Sequence, residues 1–492
     1  MSGRTTKHVK TAELERQRSY IESVREAIGN SQSYYIYTYG CQLNDNDSEK
    51  LAAILTAMGY CKTEIPAEAS IILMNTCSIR GNADQRFFGN LGIVKTFKDK
   101  NPNLIVGVCG CMMQIEEHVE RIRQSYPFVD LIFGTSDIHR LPEILQRRLS
   151  GARRVYDISN EDLIVEGVPV QHERRYRALC TIMYGCNNFC TYCIVPYTRG
   201  RERSRNKDAV LQELKGLAEQ GFQEVMLLGQ NVNAYGKDLA TDGKPLSFAE
   251  LLDEAATSSG LRRIRFMTSH PKDISPELLT VMARHNNIEN HLHLPLQSGS
   301  NRILKKMNRH YTKEHYLDIV RRARILMPDI SLTTDIIVGF PGETENDFAE
   351  TLAVVREVAY NSAYMFQYSP RIGTPAALSE QQIPAEIVTE RFNRLVELQN
   401  QNSLHSHEKM VGRTEEVLIE GRADHHEGQL TGRNSANQLI NFTAPADLYD
   451  KLDLPQGNVS ALGNHLEGNF AKVLVTDARM FSLVGELKEI EL

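Results

Sequence analysis

Three cysteines, Cys186, Cys190 and Cys193, stand in the run Gly185-Cys-Asn-Asn-Phe-Cys-Thr-Tyr-Cys193. Thiolate is the metal-ligating form of cysteine, and this C-x3-C-x2-C spacing brings three thiolates to one short loop. A [4Fe–4S] cluster commonly takes four. A cluster held by these three keeps one iron open to a small molecule, which points to chemistry rather than electron storage. A zinc knuckle would pair C-x2-C with a second pair or with nearby histidines, and no second pair follows Cys193. A run of buried structural thiols is the other alternative.

Three further cysteines lie far apart in sequence but in like settings. Tyr34–Thr38 is strand-like and runs into Gly40-Cys41. The apolar run Ala69–Met74 ends at Asn75-Thr76-Cys77. Leu104–Val108 reads as a third strand ending at Gly110-Cys111, and Leu131–Phe133 as a fourth. A helix is predicted from about Asp47 to Met58 and another around Arg86, Phe87 and Phe88. Strands alternating with helices make a parallel sheet, and loops at the carboxyl ends of its strands form the ligand crevice. Cys41, Cys77 and Cys111 would meet at one sheet edge, which predicts a second metal site. Each could instead be a buried structural thiol, and Cys109 competes with Cys111.

The Cys186 loop follows the first of six predicted strands: Ala178–Met183, Glu224–Leu228, Arg263–Met267, His291–Pro295, Ser331–Val338 and Ala363–Tyr368. Helical stretches such as Asp208–Gln220 and Phe348–Val358 separate them. Six βα units fit an open, partial (β/α)6 TIM-like barrel, with active-site residues on loops after the strands. From Gly412 the pattern turns to short alternating strands, Glu415–Glu420, Gln438–Phe442 and Ala471–Thr476, which fit a small β-barrel. The expected division is an N-terminal helical extension over 1–32, a parallel α/β domain over 33–150, a polar linker over 151–174, the partial barrel over 175–408 and the small β-barrel over 411–487. Residues 10–30 read as an exposed helical appendage.

A chain of 492 residues suits about three domains. Nine cysteines are too few for a disulfide scaffold and fit reduced thiols committed to metal. No stretch approaches the roughly 18 apolar residues of a membrane helix, and Met1–Asn30 has no apolar signal core. A cytoplasmic chain with no membrane contact is expected, and no segment suggests dimerisation, so a monomer is expected. A net charge of −6 excludes a uniformly basic nucleic-acid binder. His172–Asp208 nevertheless holds eight Lys/Arg against three Asp/Glu, a local net of +5, while Val411–Leu492 holds seven against thirteen, a net of −6. A polyanionic partner would be drawn to the cysteine loop.

The C-x3-C-x2-C loop after the first strand of a partial barrel resembles the radical S-adenosylmethionine superfamily. The resemblance implies that the open iron binds the amino and carboxylate groups of S-adenosylmethionine, and that one electron splits the sulfonium to release a 5′-deoxyadenosyl radical. Leu227-Leu-Gly-Gln-Asn-Val-Asn233 stands where the family holds the methionine amino group, which singles out Gln230, Asn231 and Asn233. Gln297 and Ser298, after the fourth strand, would reach the ribose or carboxylate. Asp335-Ile-Ile-Val-Gly-Phe-Pro-Gly-Glu343 resembles the segment flanking the adenine, where Gly339 and Gly342 would let backbone approach the ligand. Polar loop capping and turn formation are the plain alternatives for these residues.

Thr38-Tyr-Gly-Cys-Gln-Leu-Asn44 with Asp47-Ser-Glu49, Asn75-Thr-Cys-Ser-Ile-Arg80 and Gly110-Cys-Met-Met-Gln114 are similar to the N-terminal domain of methylthiotransferases. That likeness selects Cys111 over Cys109, implies a second, auxiliary [4Fe–4S] cluster on Cys41, Cys77 and Cys111, and leaves Cys61 and Cys180 to the core. Leu228-Gly-Gln-Asn-Val-Asn-Ala-Tyr-Gly236 resembles the MiaB-type branch, which acts on tRNA, rather than the RimO-type branch, which acts on a ribosomal protein and is the alternative. Pro196–Arg205, Arg265–Pro271 and Tyr368–Thr374 agree with it. The last domain resembles a TRAM domain, an RNA-binding module, although Asn434 replaces the usual Thr in Gly432-Arg-Asn-Ser-Ala-Asn437.

The implied reaction replaces the C2 hydrogen of an N6-isopentenylated adenosine beside the tRNA anticodon with a methylthio group. One S-adenosylmethionine would supply the methyl and a second the radical. A low-potential reductant, flavodoxin-like or other, and a sulfur donor are implied partners. Arg199, Arg201, Arg203 and Arg205 would hold anticodon-stem phosphates, and Arg413 and Arg433 would contact RNA from the TRAM domain. For the four-arginine run, a solvated charged face or pairing with carboxylates such as Glu202 is the alternative. A two-cluster electron carrier without catalysis is the other class of function.

Overall fold

The computed structural model describes residues 7–29, 31–78, 81–159, 161–241, 244–426 and 428–491. The flank Ile79-Arg80 of the second cysteine motif lies outside the described residues. The first domain is a six-stranded parallel sheet. Its strands are β1 (Ser33–Thr38), β2 (Cys61–Lys62), β3 (Ile71–Thr76), β4 (Ile105–Gly110), β5 (Leu131–Phe133) and β6 (Val155–Asp157), in spatial order β2-β1-β3-β4-β5-β6. β3 and β4 are buried along their whole length, as a sheet covered on both faces requires.

Helix α1 (Thr11–Ile28) is no appendage. Val24 is fully buried in the core, and Gln17 exchanges hydrogen bonds with Glu143 on α5 (Leu141–Leu149). Helix α2 spans Gln42–Ala57 and begins directly at Cys41, five residues before the predicted start. The segment after α5 is paired: β6 completes the sheet and Leu163–Ile164 lies parallel to Lys7–His8.

The second domain carries β7 (Arg177–Thr181), β8 (Glu224–Leu228), β9 (Arg263–Phe266), β10 (His291–His293), β11 (Ser331–Val338) and β12 (Ser362–Gln367). They form two parallel half-sheets, β9-β8-β7 and β10-β11-β12, joined by the bridge Ile264↔Ile288. This is the expected open partial barrel, with free edges at β7 and β12. The first domain covers the β7 edge. Asn46 on α2 donates to Leu179 O at 3.0 Å and accepts from the Thr181 hydroxyl at 2.8 Å.

The last domain is a closed barrel of β13 (Thr414–Arg422), β14 (Leu430–Arg433), β15 (Leu439–Thr443), β16 (Phe470–Ala478) and β17 (Leu483–Ile490), in the order β13-β14-β15-β17-β16. It docks at the N-terminal ends of the parallel strands. Arg263 donates to Arg433 O and Glu416 O, and Arg265 donates to Asn434 O. Buried Glu224 and Glu289 pair with these arginines. Among the described residues no helix is long and apolar enough to cross a membrane.

Candidate active site

Parallel pairing sets β1, β3 and β4 side by side with their carboxyl ends aligned. Cys41, Cys77 and Cys111 follow those ends and come together. Gly40 (φ +110) lies so close to Cys77 that a Cβ on it would sit 2.3 Å from the Cys77 Cβ. Asn44 locks the three loops: its Nδ2 donates to Tyr39 O and Thr76 O, at 2.8 and 2.7 Å. A hydrogen bond with Cys77, aided by Arg199 and by amides of the α2 N-terminus, pulls the Cys41 thiol down to about 6 against its burial. Burial pushes Cys111 up. Strand alternation sends Cys109 into the hydrophobic core, where it is fully buried. Cys180 is in the barrel core, whereas Cys61 is exposed, contrary to expectation, because β2 is the outermost strand of the sheet.

Cys186, Cys190 and Cys193 share one loop. Gly185 (φ +72) must be glycine there, since a Cβ would lie 2.0 Å from Arg201 O. Asn308 Nδ2 donates to the carbonyls of Asn188 and Phe189, Asn188 Nδ2 donates to Cys186 Sγ at 3.4 Å, and Arg309 donates to Cys190 Sγ at 3.4 Å. Burial raises Cys186 to about 11 and Cys193 to about 12, so a metal must displace protons to bind. Among the described residues, no three His, Cys, Asp or Glu side chains close around a single ion. The two sets each gather three thiols, with Cys41 hydrogen-bonded to Cys77 and close to Cys111.

Six buried polar atoms beside the Cys186 loop have no hydrogen-bond partner among the described residues: Gln230 Oε1, Asn231 Oδ1, Asn233 Nδ2, Ser269 Oγ, His270 Nε2 and Gln297 Oε1. Groups like these face a ligand or are costly to bury. The partners of three side chains fix which atom is free. Asn231 Nδ2 is taken by Asp273, leaving an acceptor; Asn233 Oδ1 accepts from His270 N, leaving a donor; His270 Nδ1 accepts from Lys272 N, leaving Nε2–H as a donor. Burial and the cations Arg309 and Lys272 keep His270 neutral, far below its ordinary pKa. The loops after β8 and β9 thus present acceptors beside donors, a surface that suits a group carrying both ammonium and carboxylate. Non-glycine residues with left-handed backbone occur on the Cys186 loop (Phe189), after β9 (Thr268), after β10 (Gln297) and in the segment of Asn308 and His310 that braces the Cys186 loop, as strain does at functional sites.

Other expected site residues lie elsewhere. The Ser298 hydroxyl is fully buried and accepts from Ser300 N, so it organises its loop. The space over Gly339 is filled by Val388 and that over Gly342 by Gln381 and Lys306, so packing and positive φ already favour glycine at both. Three of the four arginines are committed internally. Arg199 reaches Asp47 and Cys111; Arg203 reaches Asp162 and the carbonyls of Leu163, Arg199 and Arg201; Arg205 reaches Glu166, Glu213 and Thr181 O. Their burial leaves no face for a phosphate, which corrects that expectation to Arg201 alone, exposed over the Phe189 ring. Arg413 is exposed near Asp329, and Arg433 is held by Glu420 and Asn437 O. Sequence reasoning missed Arg309, Asn308, Ser269 and His270. Only the last two lay in a motif already singled out.

A groove of about 790 Å³ opens between the turn after Cys111 and the segment after Cys193, with Gln114, Ile115, Ile194, Tyr197 and Ile372 in its walls. Glu116, Glu117, Glu120 and Arg121 also stand in its walls, so it lies next to the cysteine loops without being lined by their thiols.

Three family models match in order: the uncharacterized protein family UPF0004 over residues 33–134, the radical SAM superfamily over 180–355 and the TRAM domain over 408–488. Proteins named tRNA-2-methylthio-N(6)-dimethylallyladenosine synthase are similar across nearly the whole chain. The one from Acetivibrio thermocellus is 47% identical, covering 90% of this chain and 94% of its own. The one from Thermoanaerobacter sp. is 46% identical, covering 99% of each. The chain belongs to the tRNA-2-methylthio-N(6)-dimethylallyladenosine synthase family. Members of this family combine a radical SAM domain with iron–sulfur and S-adenosylmethionine use. The radical S-adenosylmethionine methyltransferase TsrM from Kitasatospora setae shares the fold, with a TM-score of 0.50 and 14% identity over 71% of this chain and 77% of that one.

Proposed function

We propose that this enzyme installs a methylthio group at C2 of N6-isopentenyladenosine beside the anticodon of tRNA, in a reducing cytoplasmic setting. It would use two [4Fe–4S] clusters and two molecules of S-adenosylmethionine. The observation that carries this reading is the pair of three-cysteine sets, one at aligned strand ends and one on a single loop, linked by Arg199 in a member of this family. Cys186, Cys190 and Cys193 would hold one cluster, and Cys41, Cys77 and Cys111 the other. When bound, these groups supply radical and sulfur chemistry at a carbon too weakly acidic for base catalysis.

The chain's own residues bind and orient. Gln230 Oε1 and Asn231 Oδ1 would accept from the ammonium of the methionyl end of S-adenosylmethionine. Asn233 Nδ2, Ser269 and neutral His270 would donate to its carboxylate, and Gln297 Oε1 would accept from a ribose hydroxyl. Apolar Leu179, Met226 and Leu228 pack beside Cys41 and keep water from that end of the barrel. The substrate base must leave its stack to enter the groove, where Tyr197 offers an exposed ring. Arg201, Arg413 and Arg433 remain for RNA phosphates.

Reconstituted protein with dithionite and S-adenosylmethionine should form methylthio product on an isopentenylated anticodon stem-loop, and none on the unmodified RNA. Product on a ribosomal protein instead, or no cleavage of S-adenosylmethionine, would overturn this reading. A low-potential protein reductant and a sulfur donor are the further partners such turnover needs.

A further inference from the structure

Arg199 is left unexplained by cofactor binding and by RNA contact. It belongs to the barrel domain, where it follows Cys193 across the short helix Val195–Thr198, yet it reaches into the other domain. Its Nε donates to Cys111 Sγ at 3.1 Å, and its Nη2 donates to Asn44 Oδ1 at 2.6 Å and Asp47 Oδ2 at 2.7 Å. Asn44 in turn holds the loops bearing Cys41 and Cys77. The guanidinium is 5% exposed, so water screens it little. Asp47 offsets its charge but also faces the Lys50 ammonium at 4.0 Å. One carboxylate thus stands between two cations, and of these Arg199 is the one in contact with Cys111.

We infer that Arg199 tunes the reduction potential of the cluster held by Cys41, Cys77 and Cys111. This rests on the two-cluster reading above. Adding one electron makes a thiolate-bound cluster one unit more negative. An N–H···S bond to a ligating sulfur and a nearby buried cation both favour that state, and so raise the potential. Arg199 acts through Cys111 and is a positioning residue. Because donor and ligand sit in different domains, the potential depends on the domains being docked, as Asn46 docks them on β7.

The test uses the full chain with Cys186, Cys190 and Cys193 changed to Ala, reconstituted anaerobically and titrated with dithionite while the EPR signal of the reduced cluster is followed. Arg199→Gln should lower the midpoint potential. Asp47→Asn, which removes the offsetting charge, should raise it. Arg199→Lys, which keeps the charge without the Nε contact, should fall between Arg199→Gln and the parent. Opposite shifts from Arg199→Gln and Asp47→Asn cannot come from general loosening of the interface. If Arg199→Gln fails to hold iron, the rise in Asp47→Asn decides. Unchanged potentials with about four irons retained per chain would make Arg199 a mere interdomain tie and overturn the inference. If the parent itself binds no iron, the two-cluster reading fails and this inference falls with it.

Discussion

Two glycines control the two cysteine sets separately. A Cβ at Gly185 would meet the backbone carbonyl of Arg201, and one at Gly40 would meet the Cys77 side chain; both glycines have positive φ. Gly185→Ala should cost the chain about four irons, the content of one cluster, and abolish S-adenosylmethionine cleavage while the Cys41 set keeps its iron. Gly40→Ala should lose the other four and keep cleavage. Iron analysis of each variant checks this; equal losses at both sites would contradict it. Protonation separates the sets as well. Burial raises two thiols of one set, Cys186 and Cys193, to about 11 and 12, whereas in the other set burial raises Cys111 but Cys41 is drawn down to about 6. Iron uptake during reconstitution should therefore rise with pH more steeply at the Cys186 set, measured with each set alone between pH of about 7 and about 9. That six cysteines gather in two sets was legible because spacing and strand ends are written locally. His270 and Arg309 were not: their roles come from loops that meet only in the fold.

At the scale of elements, the helix predicted from about Asp47 leaves out the polar stretch Gln42–Asn46. That stretch is the first turn of α2, and its polarity is used. Asn44 ties the cysteine loops, and Asn46 covers the free edge of β7. A helix whose polar residues are all engaged across an interface cannot be told from a loop by periodicity. β2 and β6 escaped detection for another reason, since they are two- and three-residue edges. Asn46→Leu should leave Leu179 O and the Thr181 hydroxyl without their partner, a loss of about 1–3 kcal/mol. Faster amide hydrogen exchange across α2 and β7, with the β13–β17 barrel unaffected, is the expected outcome. No change there would mean that the domains are held elsewhere.

The whole-molecule charge pattern misled in an instructive way. The net of +5 over His172–Asp208 counts arginines but not their distant partners. Asp47 comes from the first domain, Asp162 and Glu166 from the connecting segment, and Glu213 from a barrel helix. Folding removes Arg199, Arg203 and Arg205 from the outer field and leaves Arg201 exposed. Only an exposed cation can release counterions on RNA binding. Arg201→Ala should therefore make the logarithm of tRNA affinity fall less steeply with the logarithm of salt, by about 0.7–0.9 in slope. Arg205→Gln should leave the slope unchanged while lowering stability, because Glu166 and Glu213 lose their shared partner. Filter binding or fluorescence anisotropy across a salt series separates the two. A slope change in Arg205→Gln equal to that in Arg201→Ala would show that the run acts as one phosphate-binding face and that the internal pairs open when RNA binds.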